Sequence, residues 1–246
     1  PNGELLWYRH RIVTRKTGVP SSPTQDSPTA PKKRHDFPGG NNDARIKLPD
    51  ERGTFATSKV THALEGPKRV GTGWESLIDI EPAGLSGIYT VRPDGKLLWY
   101  RHDGFLDETM NWSNYKEIGR GWNDLKQIIP MGDGIIYTLA KNGNLEWRRH
   151  VGYLDGRGLE SPGAWEGPKL VGTGWGDFKF VFAGGEGVMY AITNNGELRW
   201  YRNKNFMTGV REWEGPNMVG TGWESFKKVF STGEGLIYAM KPTGEL

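Results

Sequence analysis

Short apolar stretches alternate with polar turns along most of the chain, without the 3.6-residue period of an amphipathic helix. Residues 188–192 and 198–201 have the length of strands and are rich in β-forming residues. Between them lies Asn195-Gly196, a pair that readily takes the positive φ angles of a two-residue hairpin turn. Residues 178–182 add a third strand, and Leu170-Val171 belongs to a fourth. The pattern predicts antiparallel strands joined by tight turns.

The same pattern recurs along the chain. Gly-Trp returns after gaps of 48, 53 and 48 residues, at Trp74, Trp122, Trp175 and Trp223. A second tryptophan lies 10 residues before each of the last three, at Trp112, Trp165 and Trp213. A third landmark, Trp-Tyr/Arg-Arg-His/Asn, begins at Trp7, Trp99, Trp147 and Trp200. These positions hold all 11 tryptophans, and four strands repeated every 48 residues or so predict the blades of a β-propeller.

The spacing also bears on the number of blades. The interval from Trp7 to Trp99 is 92 residues, close to twice the period. We therefore predict one all-β domain over residues 1–246, a five-bladed β-propeller with four clear repeats and a degraded one in residues 11–62. The N-terminal strand, residues 3–7, would complete the last blade and close the ring. The alternative is a four-bladed ring in which residues 11–62 form an irregular insertion.

Composition excludes several classes of protein. The chain has no cysteine, which excludes thiol catalysis, disulfides and Cys-ligated zinc. No apolar run approaches the roughly 18 residues that a membrane span needs, so we expect no membrane insertion. The 32 Lys and Arg nearly balance 29 Asp and Glu, and the one dense basic cluster is residues 32–35, so nothing predicts nucleic-acid binding.

Enzymatic residues are not apparent either. His102 and His150 are copies of one repeat position, and carboxylates such as Asp177 and Glu224 recur beside the Gly-Trp landmark. A catalytic site on a repeated scaffold usually breaks the symmetry with unique residues at one point. We therefore expect neither an enzyme nor a metal or cofactor.

The Gly-Trp landmark is suited to binding a sugar, which needs an aromatic face and a few fixed polar groups. Glycines let a ligand approach backbone N–H groups closely, beside an indole. The first candidate set is Gly174, Gly222, Trp122, Trp175 and Trp223, with Trp112, Trp165 and Trp213 as partners. A tryptophan repeated in every blade equally suits a packing wedge between blades, so both interpretations stay open.

The third landmark supplies a second candidate set. Its members are Arg101, His102, Arg149, His150 and Arg202. An arginine or histidine at the end of a strand could bond sugar hydroxyls or a carboxylate such as that of a sialic acid. The alternative is a polar strand face that meets solvent or a carboxylate in an adjacent turn.

Residues 213–230, which begin Trp-Glu-Gly-Pro and continue through Val-Gly-Thr-Gly-Trp, resemble the repeat of the tachylectin-2 family. In that family a Trp is followed by Ile/Val-Gly-x-Gly-Trp and then by Phe-Lys-x-x-Phe. The match recurs at residues 165–182 and more loosely at 112–129, while Leu64 replaces the leading Trp in the first copy. The resemblance covers residues 63–246 well and residues 11–62 poorly.

The resemblance implies a five-bladed propeller that acts as a multivalent lectin for GlcNAc- or GalNAc-type sugars, with sites between blades. Its partners would be glycans or glycoproteins, and its location secreted or extracellular. The Trp-Tyr-Arg-His signature departs from the horseshoe-crab member, which leaves the sugar specificity and the number of functional sites open. Two alternatives remain: a protein-interaction propeller without sugar binding, and a sugar-recognition module of a larger enzyme.

Overall fold

The computed structural model describes residues 3–16 and 58–245, with the side chains of 3–9 and 64–245. Within these ranges all regular structure is β, apart from single 3₁₀ turns at Trp74–Ser76, Trp122–Asp124 and Trp175–Asp177. The chain divides into two compact units, one of residues 1–7 with 68–246 and the other of residues 8–67. The repeated sheets and the candidate residues belong to the first unit.

Sixteen strands are described, and they form five sheets, of which the four that follow β2 are antiparallel. A two-stranded sheet pairs β1 (Leu5–Lys16) with β2 (Ser58–Gly71). The first four-stranded sheet contains β3 (Asp79–Gly84), β4 (Gly87–Val91), β5 (Leu97–Arg101) and β6 (Lys116–Gly119). The second contains β7 (Leu125–Gly132), β8 (Ile135–Ala140), β9 (Leu145–His150) and β10 (Trp165–Gly172). The third contains β11 (Phe180–Gly185), β12 (Val188–Ile192), β13 (Leu198–Asn203) and β14 (Trp213–Gly220), and β15 (Lys228–Gly233) pairs with β16 (Leu236–Met240).

In each four-stranded sheet the spatial order of the strands follows their order in the chain, as in a propeller blade. The Asn195-Gly196 turn joins β12 to β13 as predicted: Gly196 has a φ of +83° and its N–H donates to Thr193 O at 3.1 Å. The turn places Tyr190 opposite Trp200. The prediction of repeated four-stranded antiparallel sheets is confirmed, and the architecture is propeller-like.

The hydrophobic core lies between successive sheets. One cluster joins Tyr137 and Trp147 of the second sheet, both fully buried, to Val181 and Met189 of the third. Similar clusters join the first sheet to the second, and the third to β15 and β16. Because each sheet buries its faces against its neighbours, its stability depends on the sheets on either side.

The first strands of the repeats, β3, β7, β11 and β15, line a cavity of about 510 Å³. Glu81 of β3 lies in its wall. Burial, aided by the nearby negative charge of Asp79, raises the pKa of Glu81 to about 7, against the opposing effect of Lys228. Inner strands grouped around a common cavity are the arrangement expected of propeller blades.

The described strands form no closed ring. β1 is hydrogen-bonded to β2, and the sheet of β15 and β16 has two strands. Residues 17–57, which include most of the predicted degraded repeat and the basic cluster at 32–35, lie outside the described residues. The five-blade count and the closure of the ring therefore stay predictions. Within residues 3–16 and 58–245, no helix is long and apolar enough to cross a membrane.

The glycine that ends β10 should be essential for packing. A Cβ on Gly172 would lie 2.4 Å from Nε1 of Trp175, whose side chain is buried. We expect Gly172→Ala to lower the free energy of unfolding by about 1–3 kcal/mol through overpacking, measured by urea denaturation. Thr173→Ala, at the exposed neighbouring position, is the control and should change it by less than about 0.5 kcal/mol. Equal effects of the two substitutions would contradict the steric explanation.

Candidate functional site

Each Gly-Trp landmark folds over the hairpin turn of its own sheet. Gly121 takes a φ of +77° and starts the 3₁₀ turn, whose first residue is Trp122. The Trp122 N–H then donates to Gly95 O in the turn between β4 and β5, at 3.0 Å. The equivalent bonds join Trp175 N to Gly143 O (3.0 Å), Trp223 N to Gly196 O (3.1 Å) and Trp74 N to Gly3 O (3.2 Å). The indoles are therefore held at one end of the sheets.

The second set of tryptophans links neighbouring sheets. Each donates its indole N–H to a carbonyl of the preceding sheet, just before the Gly-x-Gly-Trp segment. The bonds join Trp112 Nε1 to Val70 O (2.7 Å), Trp165 Nε1 to Ile118 O (2.8 Å) and Trp213 Nε1 to Val171 O (2.7 Å). The same rings lie 5.4–5.6 Å from the landmark indoles, in the pairs Trp74–Trp112, Trp122–Trp165 and Trp175–Trp213. The tryptophans of the two sets thus meet in pairs between neighbouring sheets, as expected of residues that pack the sheets together. We call these three places the first, second and third junctions, in chain order.

The faces of the landmark indoles are largely covered. Trp122 and Trp175 are only 7% and 6% exposed, whereas Trp74 is partly exposed. Each indole is covered by a residue of the following sheet. That residue is the Tyr or Arg directly after the tryptophan that begins the third landmark. The ring centroids are 5.2 Å apart for Trp74–Tyr100 and 4.7 Å for Trp175–Tyr201, and the Arg148 guanidinium lies 5.6 Å from Trp122. The sequence prediction missed Tyr100 and Tyr201, although their fixed place in the landmark was a signal.

Two junctions contain a cavity beside the landmark indole. The first, of about 450 Å³, is lined by Trp74, Tyr100 and Tyr115, with Arg92 and Asp94 at the same cavity. The second, of about 190 Å³, is lined by Trp122, Arg148, Trp165, Arg120 and Glu166, among others. The first is within the size range of small-ligand sites and combines aromatic walls with a few polar groups.

The glycines of the first candidate set leave the backbone open. Gly174 and Gly222 have φ angles of +76° and +81°, and a Cβ added to either would meet no atom within 4 Å. This agrees with a place where a ligand could approach the main chain, although neither glycine lines the two junction cavities. Trp223 packs on Phe226 at 5.4 Å.

The two histidines of the second candidate set are buried at the junctions. His102 stacks on Trp112, and His150 stacks on Trp165 at 4.6 Å. His150 Nε2 donates to Arg157 O at 2.7 Å, because a carbonyl can only accept, and Nδ1 accepts from the Tyr89 hydroxyl at 3.0 Å. Both ring nitrogens are therefore engaged, and burial lowers the pKa of His150. This geometry favours a structural role, and sugar contact by these histidines stays a prediction.

The arginines of that set lie nearer the surface. Arg101 donates from Nε to Asp103 at 2.6 Å, and Arg149 lies 3.5 Å from Glu166. Arg202 is exposed. None of the three lines either junction cavity, so their predicted contact with sugar also stays a prediction. The side chains of residues 3–9 and 64–245 contain no cluster of three or more potential metal ligands.

Four-stranded sheets that repeat and join through paired tryptophans define a propeller-like repeat protein. The Tachylectin family model matches the chain twice, over residues 51–159 and 148–246, so the chain belongs to the Tachylectin family. A solved structure described as "The de novo evolutionary emergence of a symmetrical protein is shaped by folding constraints" is 19% identical, with 70% of each chain covered and a TM-score of 0.49. A search of curated proteins finds no match.

The buried His150 should make stability depend on pH. Since burial lowers its pKa below the ordinary 6.5, the unfolded chain binds the proton more readily as the pH falls through that value. The free energy of unfolding should therefore fall between pH 7.5 and 5, by more than it does in His150→Asn. That variant copies Asn203, whose amide donates to the Tyr137 hydroxyl in the next junction at 3.0 Å. Urea denaturation at several pH values measures the difference, and parallel profiles for the two proteins would refute it.

Proposed function

We propose that this protein is a multivalent lectin that binds N-acetylated amino sugars, of the GlcNAc or GalNAc type, at sites between its sheets. Membership of the Tachylectin family indicates a lectin. The observation that carries the sugar site is the 450 Å³ cavity at the first junction, where Trp74, Tyr100 and Tyr115 stand beside polar groups. The partners would be glycans or glycoproteins outside the cell, bound without a catalytic step.

The chemistry of this cavity suits a pyranose ring. The Tyr100 and Tyr115 rings lie 5.6 Å apart and offer apolar faces to the C–H patch of a sugar or to an N-acetyl methyl group. Asp94 and Ser76 provide an acceptor and a hydroxyl for the polar groups of the ligand. Each site would bind weakly, and several linked sites would raise the avidity on a glycan-coated surface by a factor of about 10²–10⁴.

A protein-interaction propeller is the second candidate. Three successive loops expose an apolar side chain seven residues after the tryptophan that starts the third landmark. These side chains are Leu106, Leu154 and Met207, with 61%, 47% and 38% exposure. Apolar tips repeated on neighbouring sheets favour contact with a partner protein.

For the architecture, we propose that the parts of β1 and β2 in the first unit, residues 5–7 and 68–71, belong to the blade begun by β15 and β16. Two contacts support this. Trp7 Nε1 donates to Phe105 O (3.1 Å) as Trp99 Nε1 donates to Tyr153 O (2.9 Å). The Trp74–Gly3 bond is the counterpart of the Trp122–Gly95 bond. Trp7 thus contacts the first sheet as Trp99 contacts the second, which favours the four-bladed alternative over five blades.

Deleting residues 17–57 distinguishes the two blade counts. If the ring has four blades, replacing these residues with a short Gly/Ser linker should leave a single cooperative unfolding transition, with sugar binding retained. If they contribute a fifth blade, the deletion removes buried surface and should abolish cooperative unfolding. Differential scanning calorimetry and analytical ultracentrifugation would measure the outcome, and loss of the cooperative transition would refute the four-bladed proposal.

The lectin proposal itself is tested with sugars. A glycan array and haemagglutination should detect amino-sugar binding, and free GlcNAc should inhibit agglutination. Tyr100→Ala should weaken the first-junction site about tenfold or more, since removing an aromatic face costs roughly 1.4 kcal/mol or more, measured by isothermal titration calorimetry. Leu154→Ala, in an exposed loop, is the control and should bind as the wild type does. Absence of sugar binding together with capture of a protein partner through the apolar loops would favour the second candidate.

A further inference from the structure

We infer that the first-junction cavity selects a sugar that carries a carboxylate, with Arg92 as its counter-ion. This inference rests on the proposed lectin function and assigns a ligand class to one of its sites. Arg92 follows β4 directly and lines the 450 Å³ cavity together with Trp74 and Tyr100. It is the one cation among the described residues that line this cavity, whose walls also include aromatic rings, the aliphatic Leu77 and Leu98, and one carboxylate, Asp94.

The charge at this position distinguishes the first junction from the next two. The residue three positions before the glycine of the hairpin turn is Arg92 in the first sheet, Ala140 in the second and Thr193 in the third. After β16 the same position is Lys241, whose Nζ is already held by Glu245 at 2.7 Å. A repeat that only needs to fold accepts Ala or Thr at this position, so the arginine calls for another explanation.

The guanidinium of Arg92 is available for a ligand. Its nearest carboxylate oxygen is Asp94 Oδ1, 3.8 Å from Nε, which is beyond hydrogen-bond distance. Asp94 also lies 3.7 Å from Lys96, so its charge is shared between two cations. By contrast, Arg101 and Arg199 hold carboxylates at 2.6 and 2.5 Å. Among the described residues, Arg92 donates no side-chain hydrogen bond.

The aromatic walls place the sugar ring beside this cation. Tyr115 occupies the position of Pro168 and Pro216 in the next two outer strands and is 56% exposed, so the third aromatic wall is specific to the first junction. Burial raises the pKa of Tyr100, and the positive charge of Arg92 opposes that shift. The Arg92 charge therefore acts on the Tyr100 hydroxyl. A ring resting on Tyr100 and Tyr115 would bring a carboxylate within reach of the planar guanidinium, which binds carboxylates in a bidentate manner.

The second junction offers no such site. Its cavity is less than half as large, at about 190 Å³. The two cations there are engaged: Arg148 lies over the Trp122 ring and bonds Glu146 at 2.8 Å, and Arg120 bonds Glu117 at 2.5 Å. The acidic sugar would therefore bind at the first junction, where its ring and N-acetyl group would use the same aromatic faces as GlcNAc and Arg92 would add recognition of the carboxylate.

The test compares two probes on three proteins by isothermal titration calorimetry. The probes are the methyl α-glycoside of N-acetylneuraminic acid and the methyl β-glycoside of GlcNAc. We expect Arg92→Ala, which copies Ala140, to weaken binding of the acidic sugar about 10- to 100-fold, as for loss of a charged hydrogen bond, and that of GlcNAc less than about twofold. Arg211→Ala removes an exposed arginine in the loop before Trp213 and should change neither. Binding of the acidic sugar should also weaken as salt is raised.

The results that would overturn the inference are of two kinds: some reject the acidic site alone, and one rejects the lectin proposal as well. Binding of GlcNAc without the acidic sugar, or equal binding of the acidic sugar by wild type and Arg92→Ala, would reject the acidic site and leave the lectin proposal standing. Failure of both probes and of the glycan array would reject the lectin proposal and the inference with it. Arg92→Lys keeps the charge without the bidentate fork, and its intermediate affinity would confirm recognition by geometry as well as charge.

Discussion

An indole N–H between two sheets has to find an acceptor, because burying it without a partner costs free energy. In this chain the acceptor is a main-chain carbonyl of the preceding sheet, as in the 2.8 Å bond from Trp165 to Ile118. The bond fixes the separation of the sheets and the side of the indole that faces the landmark tryptophan. Gly172 and its equivalents lack a side chain because a Cβ there would collide with Nε1 of the landmark indole three residues later. The repeated tryptophans therefore determine how one sheet packs against the next, more than they determine the structure of a single sheet.

The same constraint determines where a ligand can bind. Residues that make the junction are repeated and mostly buried, so they supply walls and spacing more than ligand contacts. Variation is found where the junction leaves room: Tyr115 in place of a proline, and Arg92 in place of Ala or Thr. Both surround the same 450 Å³ cavity. A scaffold whose repeated residues are committed to packing can therefore diversify its sites through the few positions that packing does not constrain.

The repeated sheets were predictable because the tryptophan of each Gly-Trp landmark lies in the same local structure: its N–H bonds a glycine carbonyl in every repeat. Turn residues such as Asn195-Gly196 fixed the places of the hairpins, and the structure bears them out. The candidate site was less predictable. Periodicity shows that His102 and His150 are equivalent but not that they face a junction, where His150 has partners on both nitrogens. The covering role of Tyr100 depends on a contact with the preceding sheet, which spacing within one repeat does not reveal.

Each of the first two four-stranded sheets contains both halves of its contacts with the neighbouring sheets. In the first, the Trp112 indole donates to Val70 O of the preceding sheet and the Trp99 indole donates to Tyr153 O in the following repeat. In the second, Trp165 and Trp147 make the equivalent bonds to Ile118 O and Phe206 O. A duplicated copy of the segment would therefore arrive with a matching donor and acceptor for the sheets on either side. Such a chain can gain or lose a unit by gene duplication or deletion without inventing a new interface, and differences among its units can accumulate afterwards. The first-junction cavity is an example: Arg92 and Tyr115 differ from their counterparts in the next two repeats, while the contacts between the sheets are kept.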